Sequence, residues 1–242
     1  MQTFSCVFQY PWAVLQREGF SLKGNWNKEY FKNDNPIVLE LGCGKGEYTV
    51  GLARQYPDKN FIGIDIKGAR IWTGAKVAET EGLKNVAFLR TGIELIDSFF
   101  NGSEVSEIWI TFPDPQMQKT RRRLTSTRFM ELYRQILKPD GTVHLKTDSP
   151  FLYTYTDRLV KTNKFNIFVN TADLYDSTFA DPILSIKTFY EQQWLARGKK
   201  IKYISFALPK EGDLIEPEED DIEHDDYHSY QRGVAQCMIQ EE

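Results

Sequence analysis

Cysteine and histidine are scarce in this chain, with three of each among 242 residues. Cys6, Cys43 and Cys237 form no evident disulfide framework, and an odd number of thiols is typical of a reducing cytoplasm. No apolar segment approaches the roughly 18 residues of a membrane span. The first residues lack a basic leader and a small-residue cleavage site. We therefore expect a cytoplasmic protein with no export signal and no membrane partner.

Two kinds of catalytic site have little support. No histidine lies near Cys43 in the sequence to activate it, and no Ser/His/Asp arrangement stands out for nucleophilic catalysis. His224 and His228 have a spacing that could place two imidazoles over a metal, but the acidic run around them favours a solvated surface. No metal site is predicted.

Acidic charge is concentrated at one end of the chain. The net charge is −4, yet residues 209–242 hold twelve Asp/Glu against two Lys/Arg. The other 208 residues then carry 28 Lys/Arg and 22 Asp/Glu, a balance of +6. A mildly basic body with an acidic extension can bind a polyanion despite a low pI, and a solvated surface with a solubility tail fits the same numbers.

Apolar runs alternate with helical segments from Ile37 onward, which predicts an α/β fold with a mostly parallel, doubly wound sheet. The seven predicted strands are IVLEL (37–41), FIGID (61–65), VAFL (86–89), EIWITF (107–112), TVHLK (142–146), FNIFV (165–169) and KIKYISFAL (199–207). The predicted helices lie near 47–56, 68–81, 125–137, 151–162 and 184–197. We expect an aromatic-rich lead-in (1–36), one α/β domain (37–208) and an acidic extension (209–242).

A glycine-rich loop, LELGCGKGEYT (39–49), follows the first predicted strand and opens a helix. Gly42, Gly44 and Gly46 allow a tight turn and close backbone approach to a ligand. Their GxGxG spacing departs from the GxGxxG dinucleotide fingerprint, and the GxxxxGK[ST] phosphate loop is absent. Glu40 would repel a pyrophosphate but suits a cationic ligand such as a sulfonium.

Asp65 ends the second predicted strand, about twenty residues after the loop, where a ribose-binding acid is expected. Loop and acid together favour S-adenosylmethionine (SAM) over NAD as the ligand. An ordinary strand-to-helix turn is the alternative interpretation.

The segment TFPDPQMQKTRRRL (111–124) follows the fourth predicted strand. Ligands bind at the carboxyl end of a parallel sheet, so Asp114 is expected to face the methyl group of the donor. Pro113 and Pro115 restrict the chain around it. The cations Lys119, Arg121, Arg122 and Arg123 suit backbone phosphates of a nucleic acid. The alternative is a proline-rich turn followed by a solvated basic face.

With these motifs the chain resembles the bacterial tRNA (guanine-N7)-methyltransferases. The resemblance spans roughly residues 22–208 and is carried by LELGCGKGEYT, GIDIKGAR (63–70), TFPDPQMQKTRRRL, LKTDS (145–149) and TFYEQQWLARG (188–198). It implies a Rossmann-like sheet of the class I SAM-dependent type and methylation of a guanine in the tRNA variable loop. It further implies SAM as cofactor, tRNA as partner and a monomer or homodimer.

Carried over residue by residue, the resemblance assigns the methyl-donor site to Glu40, Gly42, Gly44 and Asp65. It assigns catalysis, and a further donor contact, to Asp114. It assigns substrate binding to the cations Lys119, Arg121, Arg122 and Arg123, to Asp148, and to the stretch T-x-[YF]-E formed by Thr188, Phe189, Tyr190 and Glu191.

The chain departs from the family pattern in two places. The family has an acid near the end of the third strand, where this chain offers Arg90, Thr91 and Gly92. Thr91 is the predicted donor contact there. The basic run is about two residues shorter than the family's FPDPWxKxRHxKRR form, which leaves the choice between Lys119 and an arginine open, and Gln116 replaces the usual tryptophan.

Several of these residues also have plain structural interpretations. Asp148 could cap the helix that begins near Pro150, and Thr188 with Glu191 fits a capping box. Two other functions remain open from the sequence: a tRNA-binding module with impaired catalysis, or a SAM-dependent methyltransferase acting on another substrate. The basic cluster disfavours a small neutral substrate, and the presence of both Glu40 and Asp114 disfavours lost catalysis.

Overall fold

The computed structural model describes residues 4–179, 184 and 186–225, without the side chains of residues 140, 189 and 190. The strands are β1 (Val7–Gln9), β2 (Ile37–Leu41), β3 (Asn60–Ile64), β4 (Val86–Arg90), β5 (Val105–Thr111), β6 (Leu137–Thr147), β7 (Ile167–Thr171) and β8 (Lys202–Ala207). The α-helices are α1 (Trp12–Glu18), α2 (Glu47–Gln55), α3 (Gly68–Thr80), α4 (Thr127–Ile136), α5 (Pro150–Thr162) and α6 (Phe189–Ala196). A π-helix spans Trp26–Phe31, and 3-10 turns span Ile93–Ser98 and Thr120–Arg122.

The described strands form one sheet in the order β1-β4-β3-β2-β5-β6-β8-β7. The neighbours from β1 to β6 pair in parallel, and β8 runs antiparallel to both β6 and β7. Every residue of β2 and β3 is buried, because helices cover both faces of the sheet. Helices α4 and α5 pack on one face, and α2 and α3 pack on the other. The predicted α/β class with a mostly parallel, doubly wound sheet is confirmed.

The predicted number of seven strands is wrong for the described residues, which form eight. The additional strand is β1, which pairs in parallel with β4, with Val7 opposite Phe88. Three residues are too few to show an alternating pattern, and the partner of this strand lies some eighty residues away. Only the free edge of β4 makes the segment a strand.

The lead-in packs into the same core as the sheet. The side chain of Trp26 is completely buried, its ring stacks on Phe100 at 5.6 Å, and its Nε1 donates to the Phe99 carbonyl at 3.0 Å. A buried indole whose N–H is bonded contributes both apolar area and a specific hydrogen bond. Among the described helices, none has the length and apolar composition needed to cross a membrane.

Candidate functional site

The glycine loop after β2 is bare where a ligand would approach it. Gly42 and Gly44 have φ angles of 76° and 55°, in the left-handed region that favours glycine. A Cβ atom added to Gly42 would meet nothing within 4 Å, and one added to Gly44 would meet only the Gly42 carbonyl at 3.9 Å. These two glycines therefore leave open space beside the backbone at the carboxyl end of the sheet.

The third glycine of the loop has a different task. A Cβ atom on Gly46 would lie 2.6 Å from a ring carbon of Phe88 and 3.2 Å from the Cα of Gly74. Gly46 is therefore required for the close packing of α2, α3 and β4. It does not contribute to the open face of the loop.

Glu40 is a buried carboxylate near the carboxyl end of β2, a central strand of the sheet. It accepts hydrogen bonds from the backbone and hydroxyl of Thr49 and, at 2.6 Å, from the hydroxyl of Thr111. Burial raises the pKa of Glu40 to about 7, although the hydrogen bonds from the two threonines oppose the shift. The carboxylate thus joins the start of α2 to the end of β5 and is poised to change charge near neutral pH.

Asp65 follows β3 and is tied to the glycine loop. Its Oδ2 accepts from the N–H of Gly44 at 3.0 Å, and its Oδ1 accepts from the N–H of Lys67 at 2.7 Å. The guanidinium of Arg70 lies 3.9 Å from the same carboxylate. The acid predicted for the ribose therefore also fixes the conformation of the loop. The next residue, Ile66, leaves 64% of its surface exposed beside it.

Asp114 is exposed on the loop that follows β5, between the ends of β2 and β6. Its Oδ1 accepts from the N–H of Gln116 at 3.0 Å, which closes a short turn. Phe112 and Gln116 on either side have φ angles of 48° and 49°, which are uncommon for residues with a side chain. The backbone is thus turned sharply on both sides of the acid.

The four cations of the basic run lie in two different environments. Lys119, Arg121 and Arg122 are exposed on the 3-10 turn and the residue before it. Arg123 is completely buried, and its guanidinium donates to backbone carbonyls and to Glu219. The structure therefore leaves three of the four cations available to a polyanion and places Arg123 in the interior.

Asp148 is buried directly after β6, with one side-chain oxygen, Oδ2, that makes no hydrogen bond among the described residues. The Nζ of Lys199 lies 3.6 Å from that oxygen, and the Nζ of Lys202 donates to the Asp148 carbonyl at 3.1 Å. Burial raises the pKa of Asp148, and Lys199 opposes the shift. The helix that follows is capped by Ser149, whose side chain accepts from the N–H of Leu152. The capping role considered for Asp148 therefore belongs to its neighbour.

The T-x-[YF]-E stretch begins α6, and its first residue is the helix cap. The side chain of Thr188 accepts from the N–H of Glu191 at 3.2 Å, so half of a capping box is present. Glu191 completes a different contact: it is fully buried and pairs with Lys146 at 2.8 Å, and the hydroxyl of Tyr175 donates to it at 2.5 Å. Phe189 and Tyr190 start the helix, but their side chains lie outside the described part of the structure.

Thr91 lies half-buried just after β4, beside the end of β3. The preceding residue, Arg90, donates to the carbonyl of Ile66 at 3.2 Å and thereby joins this strand end to the segment that follows Asp65. The predicted position of Thr91 near the donor acids agrees with the sheet order, and its contact with a ligand stays a prediction.

Sequence reasoning missed a second basic cluster at this edge of the sheet. Arg197, Lys199 and Lys200 lie between α6 and β8, and β8 begins beside the end of β6, with Lys202 opposite Thr147. The cations of Arg197 and Lys199 lie 5.0 and 4.7 Å from the ring of Trp194. The signal was present in the sequence as ARGKKIK, but only the antiparallel return of β8 brings it beside Asp148.

No group of three or more His, Cys, Asp or Glu side chains within the described ranges could hold a metal ion. The ring of His224 packs edge-on against Phe151 at 5.3 Å, and His228 lies outside the described residues.

Comparison with known proteins covers nearly the whole chain. A family model described as "Putative methyltransferase" matches residues 34–204. The tRNA (guanine-N(7)-)-methyltransferase of Bacteroides thetaiotaomicron is 59% identical over 233 residues, which cover 96% of this chain and 92% of that protein. The protein of the same name from Porphyromonas gingivalis is 59% identical and covers 96% of this chain and 97% of its own length.

Solved structures share the fold at low sequence identity. The 16S rRNA methyltransferase KamB superimposes with a TM-score of 0.58 at 13% identity, covering 75% of this chain and 92% of that one. A mutant 16S rRNA (adenine(1408)-N(1))-methyltransferase from Catenulisporales acidiphilia, solved with its cosubstrate SAM, has a TM-score of 0.53 at 12% identity, covering 79% and 93%. These likenesses support the Rossmann-like methyltransferase fold.

Proposed function

The chain belongs to the tRNA (guanine-N(7)-)-methyltransferase family, and we propose that it transfers a methyl group from SAM to N7 of a guanine in the variable loop of tRNA. The observation that carries the assignment is the position of the FPDP loop (residues 112–115), which follows β5. This loop places Asp114 at the end of β5, next to the strand that ends in the open glycine loop. The relatives favour this activity over the impaired RNA-binding module and over a different substrate.

The residues present fit SAM. Gly42 and Gly44 leave room for the amino-acid part of the molecule, and Glu40 supplies negative charge for a cationic ligand. Asp65 supplies the carboxylate proposed to bind the ribose, and the exposed side chain of Ile66 next to it offers an apolar surface for the adenine ring. When bound, SAM supplies an activated methyl group on a sulfonium.

The reaction requires little proton transfer by the protein. Guanine N7 has a lone pair and no proton, so no general base is needed. Methylation at N7 would leave positive charge on the guanine ring, and the carboxylate of Asp114 could stabilise that charge and accept from base N–H groups. Alignment of two reactants supplies up to about 7–11 kcal/mol of a barrier.

The substrate contacts in this proposal come from two sides of the edge. The exposed Lys119, Arg121 and Arg122 meet tRNA phosphates on one side, and the cluster Arg197, Lys199 and Lys200 meets them on the other. Asp148 is buried next to the second cluster, and its Oδ2 pairs with Lys199 at 3.6 Å, so its proposed part in substrate binding is to hold this cation in place. Thr188 and Glu191 support this side by anchoring α6. We also propose a cytoplasmic location, because the tRNA substrate is available there.

Incubation of the full chain with methyl-labelled SAM and unmodified tRNA tests the assignment. The expected product is 7-methylguanosine, identified by nucleoside mass spectrometry and mapped to the variable loop. Label at another nucleoside, or only in protein, would rule it out. The same tRNA with its variable-loop guanine replaced by adenine is the matched substrate control, which should stay unlabelled.

Binding of SAM is expected to weaken as the pH falls through about 7. Burial raises the pKa of Glu40 to about 7, so the carboxyl is ionised above that pH and neutral below it. The ionised form attracts a cationic ligand, and protonation removes that attraction. Calorimetric titration between pH 7.5 and 6 should show the affinity falling about threefold or more in the wild type. Glu40→Gln should lack this part of the pH dependence, and equal pH profiles for the two proteins would contradict it.

Removal of the second basic cluster is expected to weaken tRNA binding. The double variant Arg197→Gln/Lys200→Gln removes two exposed cations, so the slope of log K against log[salt] should become about 1–2 less negative. Lys28→Gln is the control, because Lys28 lies far from the proposed interface. Its neighbour Asn27 accepts from Asn60 at the start of β3, which is the opposite end of the parallel strands. Filter binding at several salt concentrations measures both. Identical slopes for the wild type and the double variant would exclude this cluster from the interface.

A further inference from the structure

The buried Arg123 holds the loop that carries Asp114. Its Nε donates to the carbonyl of Pro115 at 3.1 Å, and its Nη2 donates to those of Gln116 and Met117 at 3.2 and 3.3 Å. These are the three residues that directly follow Asp114 in the chain. A single planar guanidinium therefore binds three consecutive carbonyls, a geometry that a lysine cannot reproduce.

This cation is completely buried. The side chain of Arg123 has 0% of its surface exposed, and its guanidinium carbon lies 3.9 Å from the ring centre of Tyr155 and 4.8 Å from that of Phe151. A buried charge is costly unless it is paired and hydrogen-bonded. The arrangement needs a counter-charge, and the loop itself does not supply one.

The acidic extension supplies the counter-charge. Glu219 accepts from the Nη1 of Arg123 at 2.5 Å through one oxygen and from the hydroxyl of Thr120 at 2.6 Å through the other. One carboxylate therefore joins both ends of the basic run, from the 3-10 turn to the buried arginine. Glu219 is 96 residues away from Arg123 in sequence.

Neighbouring acids keep this part of the extension in place. Glu216 accepts from the N–H of Thr127 at 3.2 Å, at the start of α4. Asp221 pairs with Arg158 at 2.5 and 2.8 Å, and Asp225 accepts from the N–H of Phe151 at 2.9 Å, at the start of α5. The extension is thus docked across the starts of two helices, with Glu219 between them.

We propose that Glu219 and Arg123 are positioning residues for Asp114, so that the acidic extension is part of the catalytic apparatus. Glu219 neutralises and orients the guanidinium, the guanidinium fixes the three carbonyls, and the carbonyls fix the turn from which Asp114 projects. This inference rests on the proposed function, because it takes Asp114 as the acid beside the reacting base. Two other roles for the extension would leave the rate of methyl transfer unchanged: keeping the protein soluble, or shielding its basic residues from nonspecific nucleic acid.

Steady-state kinetics on Glu219→Gln and Glu219→Ala separate positioning from folding. Each variant should lower kcat about tenfold or more, because a small displacement of a catalytic group costs up to about a hundredfold. KM for SAM and the Kd for tRNA should stay within twofold. Glu223→Gln removes the same charge from an exposed residue of the extension and should behave as the wild type. Arg123→Lys keeps the buried charge but not the three contacts, and it should lower kcat like Glu219→Gln.

Hydrogen exchange tests the physical claim without any turnover. Amides of residues 112–119 should exchange at least threefold faster in Glu219→Gln than in the wild type, whereas those of β2 should be unchanged. If the wild type fails to methylate tRNA, the proposed function falls, and the exchange result still decides whether Glu219 holds the loop. If the wild type is active and Glu219→Gln matches Glu223→Gln in both kcat and exchange, positioning is overturned. Tighter RNA binding with an unchanged kcat would also overturn it, in favour of shielding.

Discussion

Asp114→Ala is expected to abolish most methyl transfer while leaving the protein folded and able to bind tRNA. The side chain is exposed, and its hydrogen bond to the Gln116 N–H lies within its own turn, so little stability depends on it. Removing one preorganised group that stabilises developing charge costs about a hundredfold to a thousandfold in rate. Single-turnover methylation with saturating enzyme measures the effect on chemistry alone.

Asp114→Asn is the matched control for charge. The amide oxygen can still accept from the Gln116 N–H, so the turn should be kept, while the negative charge is lost. If the charge stabilises the methylated guanine, Asp114→Asn should be nearly as slow as Asp114→Ala. An unchanged single-turnover rate in Asp114→Ala would refute the catalytic assignment. A fast Asp114→Asn would reduce the role of the carboxylate to holding the turn.

The second large effect is expected on stability, from the buried pair of Lys146 and Glu191. Both side chains have 0% exposure, and their charged atoms are 2.8 Å apart. The Nζ of Lys146 also donates to the carbonyls of Leu184 and Ile186, so this one cation fastens the segment before α6 to β6. Lys146→Met leaves Glu191 as a buried, uncompensated charge. The free energy of unfolding should fall by about 3–5 kcal/mol.

Urea unfolding of three variants distinguishes the pair from the packing around it. Glu191→Leu should also be strongly destabilised, and the double variant Lys146→Met/Glu191→Leu should be more stable than either single one, since no isolated charge remains. Lys200→Met breaks the exposed pair with Asp173 and should leave the unfolding midpoint nearly unchanged. If the two single losses simply add in the double variant, the two charges are not coupled.

Most strands and helices of this fold could be predicted from the sequence, because each depends on the pattern of residues within it. Five of the predicted strands correspond to β2 through β6, whose apolar side chains are buried. The predicted helix near 68–81 agrees with α3 to within one residue. The strand β1 was missed because its only reason to be extended is a partner edge far away in the chain.

The site residues show the same difference between features that depend on local sequence and features that depend on distant contacts. Residues whose task depends on the strand they end, such as Glu40, Asp65 and Asp114, were found from spacing, because the carboxyl ends of parallel strands meet at one edge. Their roles toward ligands stay predictions. The choice of capping residue before α5 went to Ser149, because a hydroxyl at that position reaches the Leu152 N–H while Asp148 turns into the interior.

By itself, the sequence determined the class of fold and the family, and it indicated which strand ends carry the acids and the glycine loop, since these features follow from local patterns and motifs. The tertiary structure alone decided that Gly46 packs while Gly42 and Gly44 stay open, and that Arg123 is buried while the other three cations of the basic run are exposed. It also decided that the acidic extension returns to that arginine. Each of these outcomes depends on contacts between distant parts of the chain, and charge or glycine content along the sequence carries no record of which residue will be covered.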